Sequence, residues 1–162
     1  MKKVLLVFVI LVTTLTLNSC EAYKTVTLDS PDVKVKNITN TTDKNGNYIK
    51  ANEWMVQTFQ NAKSVIQFSD KEEGIVKGKY VMKVGTPGST YVASTPDFYA
   101  IITLRVKDNA SRIEITPPTG MYSKTAFDIE YGFTPEMFNV SADALTSDFE
   151  KNMKSESTNN DW

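Results

Sequence analysis

In three runs, Ile75–Val84, Tyr99–Lys107 and Arg112–Thr116, apolar and polar side chains alternate with a period of two, and no other feature constrains this chain as strongly. Side chains two apart share one face of a strand, so each such run buries one face and leaves the other in water. Over Ile75–Val84, Val76, Tyr80, Met82 and Val84 fall on one face with Gly78, while Lys77, Lys79 and Lys83 fall on the other. Over Tyr99–Lys107 the inward positions are Ile102, Leu104 and Val106; over Arg112–Thr116 they are Ile113 and Ile115. Asp108-Asn109-Ala110-Ser111 suits a short hairpin loop between those two strands. A loop of those four residues sets Val106 against Ile113, Leu104 against Ile115 and Arg105 against Glu114.

A sheet with one apolar face needs a cover, and two segments supply it. Tyr48, Ala51, Met55, Phe59 and Ala62 recur at three- and four-residue steps, which predicts a helix over Tyr48–Ala62. Trp54 borders that stripe and reads as a packing residue rather than a ligand platform. Thr134-Pro135-Glu136 opens a second helix, with threonine as cap and proline in the first turn. Phe138, Ala142, Leu145, Phe149 and Met153 then line one side of it. Ile66 and Phe68 open a further strand that stops at the charged turn Asp70-Lys71-Glu72-Glu73-Gly74. Val33 and Val35 alternate with Lys34 and Lys36 in another. Tyr23, Thr25 and Thr27 alternate in a short candidate strand, and Ala126–Tyr131 is a second one in the otherwise patternless stretch 119–133. Asp43-Lys44-Asn45-Gly46 reads as a tight turn and Gly85–Pro96 as a loop. The fold class that follows is α+β: an antiparallel sheet with helices packed on one face.

The first twenty residues read as an address. Lys2 and Lys3 precede the apolar run Val4–Leu17, which is short of the roughly 20 residues that a spanning helix needs. The run ends in Leu17-Asn18-Ser19-Cys20, which resembles the bacterial lipobox. The resemblance implies cleavage before Cys20, the only cysteine, and acylation of its sulfur, the modification that palmitate labelling reports, and of its new amino terminus. The competing reading is an ordinary secretory peptide with a chance cysteine. More than one acyl chain holds a protein firmly on a membrane. The expected address is therefore the bacterial cell envelope, as a membrane-anchored lipoprotein of the outer membrane. The chain divides into a signal peptide at 1–19, a lipidated cysteine and tether at 20–31, a single α+β domain at 32–154 and a polar tail at 155–162.

Histidine is absent, which removes Ser-His-Asp triads, Cys-His pairs and His-ligated metals. A single cysteine gives neither an internal disulfide nor a thiolate cluster. Asp43-Lys44-Asn45-Gly46-Asn47 has calcium-loop composition, but Gly46 is fourth and Trp54 twelfth, where the loop needs glycine sixth and glutamate twelfth. Neither Ser-x-x-Lys nor Gly-x-Ser-x-Gly occurs. The expectation is a protein that is not an enzyme, with no catalytic residues, no metal and no cofactor. Loss of the two lysines with residues 1–19 takes the net charge from −1 to −3, so no overall basic footprint for nucleic acid exists.

The central block resembles a known group. Ala51-Asn52-Glu53-Trp54, Ala62-Lys63-Ser64-Val65-Ile66-Gln67, Asp70-Lys71-Glu72-Glu73-Gly74-Ile75-Val76-Lys77-Gly78, Ile102-Thr103-Leu104-Arg105-Val106-Lys107-Asp108 and Arg112-Ile113-Glu114-Ile115 carry the likeness. Together they are similar to the domain-of-unknown-function family of Bacteroidota lipoproteins with a TATA-binding-protein-like fold. The resemblance spans roughly residues 32–118 and implies that fold. It supplies no active residue, and a fold alone does not license DNA binding.

The face opposite the apolar one collects Lys77, Lys79, Lys83, Arg105, Lys107 and Arg112, with Glu114 as its one acid. The bland reading is the solvated side of a two-faced sheet. The functional reading is a binding face for an anionic envelope partner: an acidic or phosphorylated glycan, a lipid headgroup or an acidic protein surface. The alternative function is a structural or accessory subunit of an envelope protein complex.

Overall fold

The computed structural model describes residues 26–61, 64–90, 94–119, 122–124 and 130–155. The expected signal segment, Cys20, most of the expected tether, Ala62 of the expected helix, residues 126–129 of the candidate strand and the tail after Ser155 lie outside the described residues. Among the described residues, eight strands and two helices follow in order: β1 Val26–Thr27, β2 Lys34–Thr39, α1 Lys44–Thr58, β3 Val65–Asp70, β4 Ile75–Lys83, β5 Phe98–Lys107, β6 Ala110–Thr116, β7 Tyr122–Lys124, β8 Glu130–Gly132 and α2 Pro135–Lys154. Five strands form one antiparallel sheet in the order β2-β6-β5-β4-β3. The short strands form a second sheet, β1-β7-β8.

Both helices lie on one face of the larger sheet, and the core forms between them. From the strands come Val76, Ala100, Ile102, Leu104, Ile113 and Ile115; from α1 Ala51, Trp54 and Met55; from α2 Phe138, Ala142, Phe149 and Met153. The residues that alternate inward are therefore those that two helices cover, as the patterning predicts, except Val84, which lies beyond the bulged end of β4 and is 46% exposed. Trp54 is 2% exposed and packs edge-on against Phe149, 5.0 Å between centroids. Its indole N–H donates to Asp148 Oδ2 at 2.8 Å, so it joins the two helices.

Helix α1 starts and ends four residues earlier than the apolar spacing predicts. Asp43-Lys44-Asn45-Gly46 is a helix start rather than a free tight turn: Asp43 is the N-cap, and its Oδ1 accepts from the Gly46 amide at 2.7 Å. At the other end Phe59 leaves the helix as its C-cap and lies over Gly78 of β4. A Cβ on Gly78 would sit 2.4 Å from the Phe59 ring, so this close approach needs glycine. Asn47 is fully buried between α1 and the sheet. Its Nδ2 lies within hydrogen-bond reach of the Thr42 and Lys107 carbonyls (3.0 and 2.9 Å), and its Oδ1 accepts from Asn40 at 2.8 Å. Helix α2 begins at the Thr134 cap, whose Oγ1 accepts from the Met137 amide at 3.2 Å.

Candidate functional site

Strand register decides which side chains share the uncovered face. Directly opposite residues point the same way, so each ladder row can be read across the sheet. One row holds Asn37, Arg112, Arg105 and Ile75. The next holds Val35, Glu114, Thr103 and Lys77, and the one beyond it Thr116, Ile101 and Lys79. Lys107 stands at the hairpin end, across from Ala110 and Thr39. Five of the six cations singled out in the sequence therefore meet on one face: Lys77, Lys79, Arg105, Lys107 and Arg112.

Lys83 does not join them. A bulge between Val81 and Lys83 pairs Lys83 with Phe98, a buried core residue, instead of leaving it in line with Lys79. The extra residue reverses the alternation. The ammonium of Lys83 instead donates to the Gly132 carbonyl at 2.8 Å, beside the stacked rings of Phe98 and Phe133.

The pairing of Arg105 also differs from expectation. The hairpin loop holds two residues, Asp108 and Asn109, not four. Asn109 takes φ 59°, a conformation that asparagine tolerates, and this permits the tighter turn. The loop is also clamped: the Asn109 amide donates to the Thr42 carbonyl at 2.9 Å, and the Asn40 amide donates to the Asn109 carbonyl at 3.1 Å. With the shorter loop, Arg105 faces Arg112, Leu104 faces Ile113, and Glu114 faces Thr103. Glu114 instead reaches along its own strand to Arg112, Oε2 to Nη2 at 3.3 Å.

Around Arg105, Lys107 and Arg112 lies a shallow groove of about 390 Å³, rimmed by Asn37 and Thr39. Lys79 sits 3.8 Å above the centre of the Tyr99 ring, a cation–π contact that holds its ammonium over the sheet. Among the described residues, no carboxylate pairs with Lys77, Arg105 or Lys107. The helix side contrasts with this. Lys34 pairs with Asp143, and Glu150 takes both Lys36 at 2.5 Å and Lys154 at 2.7 Å. Hydrogen bonds from Lys154 and Lys36 hold the Glu150 carboxyl down at about 2. Lys34 and Lys36 thus face α2, while Val33 and Val35 are exposed.

Sequence patterning missed one feature of this face. Val65 and Phe68 of edge strand β3 stand across from Lys79 and Lys77 and are 48% and 50% exposed. Val65 is there by the regular register of Ile66 with Gly78, and a bulge between Ile66 and Phe68 adds Phe68 to it. The sequence signal is the broken alternation Val65-Ile66-Gln67-Phe68, where two apolar residues adjoin before the period resumes. Among the described residues, no cluster of acidic or cysteine side chains has metal-site geometry, and no helix is long and apolar enough to cross a membrane. Asp43, the one acid of the calcium-like segment, serves as a helix cap.

The family model described as a domain of unknown function (DUF4468) with TBP-like fold matches residues 33–119. A DUF4468 family protein of known structure from Bacteroides ovatus ATCC 8483 is similar at 15% identity, with TM-score 0.52, over 86% of this chain and 94% of that one. A TBP-like protein from Parabacteroides distasonis ATCC 8503 is similar at 14% identity, with TM-score 0.52, over 75% and 91%. At these identities the likeness speaks for the fold alone. No curated protein matches the chain.

Proposed function

The chain belongs to the DUF4468 family, and from that premise we propose that it is a non-catalytic binding module for an anionic ligand of the bacterial envelope. The uncovered sheet face is the binding surface, and an acylated Cys20 holds the module on the outer membrane. The observation that carries this reading is Arg105 set directly against Arg112, flanked by Lys107 and Lys77. Like charges across a ladder disfavour the folded state by a few tenths to about 1 kcal/mol. Glu114 offsets only Arg112. A bound anion would relieve what remains. Two guanidinium forks at cross-strand spacing suit phosphate or carboxylate oxygens, which arginine grips with paired hydrogen bonds. Asn37 and Thr39 add neutral polar groups at the rim. The ligand class is thus a phosphate- or carboxylate-bearing group.

The test uses the full chain in neutral detergent and a lipid-free phosphorylated core oligosaccharide of lipopolysaccharide. Binding should be measurable at low ionic strength and fade as salt shortens the Debye length to about 10 Å at 0.1 M. Lys77→Glu with Arg105→Glu should keep the fold, because both side chains are exposed. The pair should weaken binding by about tenfold or more, the equivalent of about 1.4 kcal/mol. Equal binding by parent and variant returns the face to plain solvent exposure.

A further inference from the structure

An anion held by Arg105 and Arg112 gives Phe68, 50% exposed on the same face, no role. Ile66 pairs with Gly78 on the helix side of the sheet. In a regular antiparallel ladder Phe68 would then pair with Val76, a core residue 1% exposed, and would face the helices. The bulge inserts one residue, so Phe68 pairs with Lys77 instead and turns to the uncovered face. Bulges serve to re-aim side chains in this way. The same face carries Val65 opposite Lys79, and Val35 in the Lys77 row at 41% exposed. Apolar side chains thus stand directly beside lysines on the β3–β4 side, while the arginine pair lies one row away.

We infer that this face seats on an anionic lipid bilayer, with Phe68 entering the headgroup layer. The inference rests on the anionic-ligand reading and names its source. A soluble phosphorylated glycan would use the arginines but would give no role to a phenyl ring turned outward beside a lysine. An interfacial lipid surface uses both: cations meet the headgroup phosphates, and apolar side chains enter the boundary beneath them. Lysine stems lie along the apolar zone while their ammonium groups reach outward. The tether agrees with this placement. Lys34 follows Cys20 by fourteen residues, an extended span of at most about 50 Å. An acylated Cys20 would keep the sheet within reach of the bilayer that the lipid enters.

The experiment places Phe68→Trp in the full chain and reconstitutes it into vesicles that carry dibrominated acyl chains. One set is phosphatidylcholine, the other an equal mixture with phosphatidylglycerol. The parent chain, with its own two tryptophans, gives the background in each. An anchored chain is present on both membranes, so the readout is the contact of residue 68 rather than attachment. The expected result is a blue shift and loss of the added tryptophan's emission in the anionic vesicles alone, reversed by salt and by adding Lys77→Glu with Arg105→Glu. Emission from residue 68 that is no more quenched in anionic than in neutral vesicles overturns the inference. If the oligosaccharide still binds in that case, the anionic-ligand reading stands and its source is the soluble glycan; if neither is seen, both readings fall.

Discussion

Arg105 stands directly across the β5–β6 ladder from Arg112, with Glu114 bonded to Arg112 rather than opposite Arg105. This follows from a loop two residues shorter than the flanking polarity suggests, and it gives the basic face its most concentrated point. The repulsion has a measurable consequence. Arg105→Glu places a carboxylate against Arg112 and should stabilise the fold by about 0.2–1 kcal/mol. Thermal unfolding should show the gain at low salt and lose most of it at high salt. A variant less stable than the parent at low salt would mean that the two guanidinium groups do not strain the free protein.

Asn47 should matter to the same region from behind. Its amide links the start of α1 to the Lys107 carbonyl, where β5 enters the hairpin. Asn47→Leu takes this donor from the part-buried Lys107 and Thr42 carbonyls, of which that of Thr42 keeps the Asn109 amide as a partner at 2.9 Å. Such a loss costs about 1–3 kcal/mol for a group left unsatisfied. Urea unfolding should show a lower midpoint with an unchanged slope. An unchanged midpoint would show that the amide does not hold the hairpin.

What the sequence discloses of this fold is what alternation and helical spacing carry. Ile102, Leu104, Ile113 and Ile115 are buried where the pattern puts them, and Phe138 to Met153 line the covered side of α2. What it conceals turns on single residues that shift phase. The bulge at Val81/Lys83 turns Lys83 out of the basic face, and the bulge at Ile66/Phe68 turns Phe68 onto it. A one-residue slip moves side chains from one face to the other, and composition does not report it. Asn109 closes the hairpin in two residues because its neighbours clamp it, a tertiary effect that local polarity does not contain. Asp43 shows a different ambiguity, since the residues that favour turns also cap helices.

Acid should weaken the helix side of the sheet through Glu150. Its carboxyl is held at about 2 by hydrogen bonds from Lys154 and Lys36. The unfolded chain binds that proton at the ordinary glutamate value, about 4.3. The folded state therefore gains from this group at pH above that value and loses the gain as pH falls towards about 2. Glu150 is partly exposed, so salt will screen the effect. Glu150→Gln should flatten the acid slope of stability within that window, with the difference smaller at high salt. Parallel slopes for parent and variant would contradict the pairing.

The proposed anchor is separable from the proposed binding face. Cys20→Ala should abolish incorporation of labelled palmitate and leave the chain uncleaved or released from the membrane fraction. Unchanged labelling would place the acyl group elsewhere or remove it from the account.

Amide chemical-shift mapping of the full chain, titrated with the lipid-free phosphorylated core oligosaccharide at low ionic strength, tests the central claim most directly. The account predicts shifts concentrated at Lys77, Arg105, Lys107 and Arg112, collapsing as salt is raised. Shifts confined to the helix side, around Asp148 and Lys151, or no shifts at any salt concentration, would contradict it.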